Sequence, residues 1–467
     1  MKRHPIPQIL SILLCVLLLV EGVGARAAER APEDRWPELS AAAALPEAPE
    51  IVADYAILAE AKSGTVLYAK NAYDRAAPAS ITKVMTALLT AERCDMNDTV
   101  LFSYRACHEL VKGSSTIART EGEMMSVRDC LFALLVASAN EVAQALAEHV
   151  SGSIEAFVAL MNDRAEELGC VNTHFANPHG TPDPDHYTCC YDMALIMKEA
   201  MSHDSVREAL GTAKYQIAPT NKHSEITYMN SKHPLVTAAY GMKYDGAVGG
   251  KTGHTSEALN TLVTYAARGE MDLICVVMHV DGYKASGEES AALFNYGFEN
   301  FRRTDMLAES AVKSADGSLF LGSEILDLVS VGGCYVTLPK ETGTEALTVS
   351  VRYGGAGAGS DAVAVKEYSL NGVVLARLPL KLAPFQSKLP LTPETVHEKT
   401  AKEKLRTRYL GVPLIYWILI AAGAAVLAVL TLILFAVLKI LRKNKRRGEQ
   451  NRRALRRNDE NENRFFY

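Results

Sequence analysis

The chain predicts an α+β fold: an antiparallel sheet whose strands come from both ends of one domain, with a helical insert between them. Three observations carry the prediction. A strand hairpin occupies residues 55–69, a second hairpin followed by a helix closes near residue 301, and residues 80–201 are patterned mainly as helix. A doubly wound parallel sheet would need strands and helices in alternation, which this order does not provide.

Residues 1–27 read as a secretory signal, with Lys2, Arg3 and His4 ahead of an apolar run and Ala25-Arg26-Ala27 as a cleavage pattern. Residues 28–50, rich in Ala, Glu and Pro, are expected to form a flexible lead into a first domain of residues 51–304. Its first hairpin pairs residues 55–61 with 65–69 across Lys62-Ser63-Gly64. A helix is predicted to start at Ser80, because Val84, Met85, Leu88 and Leu89 recur at helical spacing behind Pro78. Further helices are expected over residues 127–138, 141–150, 153–168 and 191–201. Pro178, Pro182 and Pro184 forbid regular structure over residues 177–186. The second hairpin joins residues 261–266 to 273–280 through Arg268-Gly269-Glu270, and a helix over 288–301 follows.

Short strand-like runs separated by Gly-rich breaks make residues 305–390 a small all-β domain. A charged linker, 391–412, leads to residues 413–438, which are apolar, uncharged and long enough to cross a bilayer as one transmembrane helix. Tyr416 and Trp417 suit an interface, and Arg442, Lys443, Lys445, Arg446 and Arg447 open a basic tail, 439–467, that belongs on the cytoplasmic side. The chain is therefore expected in the cell membrane as a single-pass protein with its folded domains extracellular. A net charge of −5 gives no reason to expect nucleic acid as a partner. Eight cysteines follow the signal without a disulfide framework; Cys130, Cys170 and Cys275 look like buried thiols, and Cys189-Cys190 is a pair too close to bridge without strain. His186 with Asp183 and Asp185 sits in a Pro-punctuated loop, and no cysteine spacing suits zinc, so neither metal nor cofactor is expected.

The chemistry is concentrated in three short motifs. Ser80-Ile81-Thr82-Lys83 puts a hydroxyl and an amine on one helix face. A serine needs a base to become a nucleophile, and lysine serves only when burial or another cation lowers its pKa. Ser138-Ala139-Asn140 lies between two predicted helices, where both polar residues could also simply cap the second one. Lys251-Thr252-Gly253 opens a predicted strand. A second Ser-x-x-Lys, Ser310 to Lys313, and a second Ser-x-Asn, Ser369 to Asn371, fall outside this order and context.

In that order the motifs resemble those of penicillin-binding proteins and class A β-lactamases. The runs 77–86, Asn177-Pro178-His179-Gly180 and Lys251-Thr252-Gly253-His254-Thr255 narrow the resemblance to the low-molecular-weight D-alanyl-D-alanine carboxypeptidases, over residues 52–301. It implies a β-lactamase/transpeptidase-like catalytic domain and a serine hydrolase acting on peptidoglycan stem pentapeptides, with β-lactams acylating the same serine. On this reading Ser80 is the nucleophile, Lys83 the general base and Ser138 a proton relay, while Asn140 holds the substrate amide or orients Lys83. Lys251 and Thr252 offer a cation and a hydroxyl to the substrate carboxylate; the N–H groups of Ser80 and His254 beside Gly253 form an oxyanion hole. His179 is either a wall of the site or a bystander. The chain departs from the family at Leu259 (often Gly), at Val248-Gly249-Gly250 (often Asp-Gly-x) and at Ser286 (near which some members carry an arginine). Alternative functions are a β-lactamase, which would need a well-placed base for deacylation that no Glu-x-x-x-Asn segment supplies, and a non-catalytic penicillin-binding sensor.

Overall fold

The first hairpin forms as expected, from β1 (Tyr55–Glu60) and β2 (Thr65–Lys70). In this computed structural model the described residues are 35–237, 239–307, 318–321, 324–330, 332–353 and 362–382. The expected signal, linker, membrane span and tail (1–27, 391–412, 413–438 and 439–467) lie outside them. Among the described residues no helix is long and apolar enough to cross a membrane.

Between the hairpins lie helices α1 (Lys83–Arg93), α2 (Tyr104–His108), α3 (Val127–Val136), α4 (Asn140–Ser151), α5 (Ile154–Leu168), α6 (Cys190–Ala200) and α7 (Asp204–Gly211). Two small hairpins interrupt them: β3 (Thr99–Leu101) with β4 (Met124–Ser126), and β5 (Lys214–Ile217) with β6 (Thr227–Asn230). Strands β7 (Ala247–Thr255), β8 (Leu259–Arg268) and β9 (Met271–Val280) then complete the sheet, and α8 (Tyr283–Asn300) closes it. The strand order is β2-β1-β9-β8-β7, antiparallel throughout. The N-terminal hairpin is thus paired to the C-terminal one through β1 and β9, as a sheet fed from both chain ends requires.

The sheet is covered on both faces. Along β9, Ile274, Val276 and Met278 join the core under the helical insert, while Leu273, Cys275 and Val277 join the core under α8. That alternation is the period of two that a strand imposes. β7 is left as an edge strand, and the candidate site forms along it.

After α8, β10 (Phe301–Asp305) pairs with β13 (Tyr335–Pro339), and β11 (Ser318–Leu321), β12 (Glu324–Ser330), β14 (Thr348–Tyr353), β15 (Ala364–Leu370) and β16 (Val373–Leu382) form a sheet in the order β11-β12-β16-β15-β14. A buried ion pair, Arg303 to Glu60 at 2.8 Å, ties this region back to β1.

Four expectations need correction. The lead expected to be flexible over 28–50 is packed from residue 35 onward: Leu39 and Ala42 are buried, and the Trp36 N–H donates to Tyr191 Oη at 3.0 Å. Its apolar residues outweigh its Ala- and Pro-rich composition. The helix expected to start at Ser80 begins instead as a 3₁₀ turn, Ala79–Thr82, before α1. Lys251-Thr252-Gly253 lies in the middle of β7 and does not open it. None of the eight cysteines after residue 27 is in a disulfide; Cys130 and Cys275 are buried, as expected, whereas Cys170 is half-buried.

Candidate active site

The serine turn is held from three sides. Pro78 accepts a hydrogen bond from Thr261 Oγ1 on β8 at 2.8 Å. Ala79 takes a left-handed φ of +51°, a conformation that persists only where surroundings impose it. Beneath it, the 177–180 loop packs so closely that a Cβ on Gly180 would lie 1.9 Å from Ala79 O. That loop is wound around its own asparagine: Asn177 Oδ1 accepts from the N–H groups of His179, Gly180 and Thr181.

The 3₁₀ turn matters for the chemistry, because side chains at i and i+3 eclipse there. Lys83 Nζ lies 3.0 Å from Ser80 Oγ and donates to the His179 carbonyl at 2.7 Å. Lys83 is fully buried, and Ser80 is half-exposed. Burial first, then the Lys251 cation, pushes the Lys83 amine well below its ordinary pKa; Glu141 opposes them.

Lys251 reaches the same place from β7 and is 3% exposed. Burial and then Lys232 lower its pKa to about 7. Gly253 explains why this strand can lie against the serine: a Cβ there would meet Thr261 Oγ1 at 2.3 Å and Ser80 N at 2.8 Å. Ser80, Ser138, Lys251, Thr252, Gly253 and His254 line one cleft, together with Ser115, Lys232, His233 and Tyr283.

Asn140 is not on the cleft wall. It is buried as the first residue of α4, and its Oδ1 has no hydrogen-bond partner among the described residues. Neither it nor Ser138 caps that helix: the N-cap is Ala139, without a side-chain cap bond, and Ser138 has a left-handed φ of +59°. The capping alternative therefore falls.

The histidines sort by their partners. His179 is buried under the turn, and its carbonyl, not its ring, touches Lys83. His186 Nδ1 accepts from the Ala176 N–H at 2.9 Å, which leaves Nε2–H to donate to Thr82 Oγ1 at 2.8 Å. Its ring is thus committed within the fold, while Asp183 and Asp185 stay exposed. Burial lowers the pKa of His179 to about 3 and of His186 to about 4.

Sequence reasoning missed Lys232 and His233. Lys232, itself exposed, brings a second cation to the cleft. His233 fills the space over Gly250, where a Cβ would lie 2.1 Å from its Nε2. Within 248–250, Gly249, where the family also carries Gly, lies against Leu210, and Gly250 is a packing match for His233. Ser286 offers nothing to a substrate, since it is buried and donates to the Tyr283 carbonyl at 2.9 Å. No composition or period signals these two residues; only the fold of residues 231–236 onto β7 brings them in.

The fold and the site together define a serine-type hydrolase of the penicillin-binding, transpeptidase-like class. The family described as D-alanyl-D-alanine carboxypeptidase matches residues 42–282. The chain belongs to this family of serine peptidases. It is 35% identical over 269 residues to the D-alanyl-D-alanine carboxypeptidase DacF of Bacillus subtilis, covering 55% of this chain and 67% of that protein. It is 31% identical to DacD of Escherichia coli, covering 63% of this chain and 76% of the relative. Among solved structures, penicillin binding protein 5 from Haemophilus influenzae is similar with a TM-score of 0.60 at 28% identity, covering 72% of this chain and 98% of that one.

Proposed function

We propose that this D-Ala-D-Ala carboxypeptidase removes the terminal D-alanine from peptidoglycan stem pentapeptides through an ester on Ser80, while anchored to the cell membrane by residues 413–438 with its catalytic domain (51–304) and small all-β domain (305–390) outside. The observation that carries the mechanism is the buried Lys83 amine, 3.0 Å from Ser80 Oγ. An uncharged amine there has a lone pair for the Ser80 proton and keeps an N–H for the His179 carbonyl.

Lys251 and Thr252 receive the substrate carboxylate, with Lys232 adding positive potential. Ser80 Oγ attacks the carbonyl carbon of the last peptide bond as Lys83 takes its proton. The Ser80 and His254 N–H groups stabilise the oxyanion, which Gly253 makes room for. Ser138 passes the proton to the leaving nitrogen, the C–N bond breaks and D-alanine departs. Asn140, buried behind the cleft wall with an unpartnered Oδ1, orients Lys83. Water then attacks the ester, returns a proton to Ser80 and frees the tetrapeptide. A β-lactam enters the same first step and stays as the acyl group.

Mass spectrometry of a stem pentapeptide incubated with the full-length protein, beside Ser80→Ala, tests the reaction. Loss of one alanine with wild type alone is expected; no loss, or equal loss with both, refutes it. Proteolysis of sealed membrane vesicles tests the orientation, which fails if the tail and the catalytic domain are cleaved from the same side.

A further inference from the structure

Three aromatic rings stand in a row where β7 leads out of the cleft. His254 is exposed, and its ring lies 5.8 Å from that of Tyr283. Tyr283 lines the cleft with Ser80, Lys251 and Thr252. Tyr240 stacks on Tyr283 at 6.2 Å with an interplanar angle of 7°. Tyr240 itself stays 50% exposed. Its backbone is left-handed, with φ +60°. A bulky residue holds that conformation only where its neighbours impose it. The reaction described above uses none of these rings. A large ring presented to solvent beside a polar cleft is a surface built for contact.

The order of groups along β7 says what reaches it. On the proposed reading, Lys251 and Thr252 take the carboxylate, and the His254 N–H takes the carbonyl oxygen. A peptide extended along this free edge advances about 3.3 Å per residue. The residue before the attacked one therefore lies past His254, beside Tyr283 and Tyr240. We propose that Tyr240, Tyr283 and His254 form a subsite for the side chain of the third stem residue, and that this side chain is an aliphatic stem ending in an amine. Methylenes lie well along stacked rings, and an ammonium group is attracted to the open face of Tyr240. The subsite rests on the carboxypeptidase reading and makes the enzyme selective for the donor peptide upstream of the bond it cleaves.

The test compares two pentapeptides that differ only in the third residue, lysine against alanine, as substrates of the full-length protein. The readout is the ratio of their kcat/KM values for D-alanine release. Wild type is expected to favour lysine, Tyr240→Ala to lower the ratio by about two- to fivefold, and Tyr240→Phe, which keeps the ring face, to retain it. Acylation of each variant by labelled penicillin verifies that the site is folded. A wild-type ratio near one, or one that Tyr240→Ala does not move, overturns the subsite while leaving the carboxypeptidase intact. Release from neither peptide by wild type overturns the underlying reading as well.

Discussion

A single methyl group at Gly253 interrogates the contact on which the site depends. Built on the strand, it lies 2.3 Å from Thr261 Oγ1, 2.8 Å from Ser80 N and 3.0 Å from Ala79 Cβ. Comfortable contact between such atoms begins near about 3.5 Å. Thr261 cannot simply swing away, because its hydroxyl is bonded to Pro78 O at 2.8 Å. The turn must then move off β7 by roughly half an ångström or more. Overpacking of this kind costs about 1–3 kcal/mol of stability, a fall of about 2–10 °C in Tm for a domain of this size. The same movement takes the Ser80 N–H away from the oxyanion, and loss of one such donor slows the chemistry by about 10²–10³-fold. Gly253→Ala is therefore expected to acylate with labelled penicillin at least about a hundredfold more slowly, with only a modest drop in Tm. Acylation within about threefold of wild type would refute the claim that β7 is pressed against the serine turn.

Other consequences can be measured on the same protein. Gly250→Ala should be destabilising, and combining it with His233→Ala should cost less than the two separate losses, as urea midpoints would reveal; additive losses would remove the packing match. Acid should destabilise the fold through His179, His186 and His233, whose pKa values are lowered by burial to about 3, 4 and 3. The unfolded histidines bind protons below about 6.5 while the folded ones do not, so stability falls as pH drops from there, by about 1.4 kcal/mol per unit and per histidine. A flat Tm between these limits would contradict their burial. If Lys251, lowered to about 7, is the cation for the substrate carboxylate, as proposed, the KM of a stem peptide should rise as pH climbs above 7. A KM independent of pH up to 9, a range of roughly two pH units, would remove Lys251 from that role.

The elements with strong periodicity were legible in the sequence. The hairpin at 55–69, the helices of the insert and the β8–β9 pair all formed within a few residues of expectation. Ser80, Lys83, Ser138 and Lys251-Thr252-Gly253-His254 also converge, because each motif carries its own geometry. What escaped was set by tertiary contact. The 3₁₀ turn at Ser80 depends on a bond from β8 and on the 177–180 loop, neither of which is local to it. The short hairpins β3–β4 and β5–β6 are too brief for period alone to reveal. Lys232 and His233 have no motif, and the role of the His179 carbonyl is invisible in a residue type whose ring attracts the attention.

On the proposed mechanism the base is a buried lysine, and among the described residues no carboxylate is hydrogen-bonded to it. An ionised carboxylate bonded to Lys83 would hold the amine as a cation, with no lone pair left for Ser80. Glu141, the acid whose charge opposes this deprotonation, is itself pushed up by burial, and its Oε1 is engaged by the Ile117 N–H at 2.6 Å. The neighbour that acts in the useful direction is Lys251, a cation whose own charge is weakened by burial. On the proposed reading a carboxylate arriving at Lys251 favours its protonated form, while the carboxylate's own negative charge acts on Lys83 in the opposite sense, so the two amines and the bound carboxylate titrate as one coupled group.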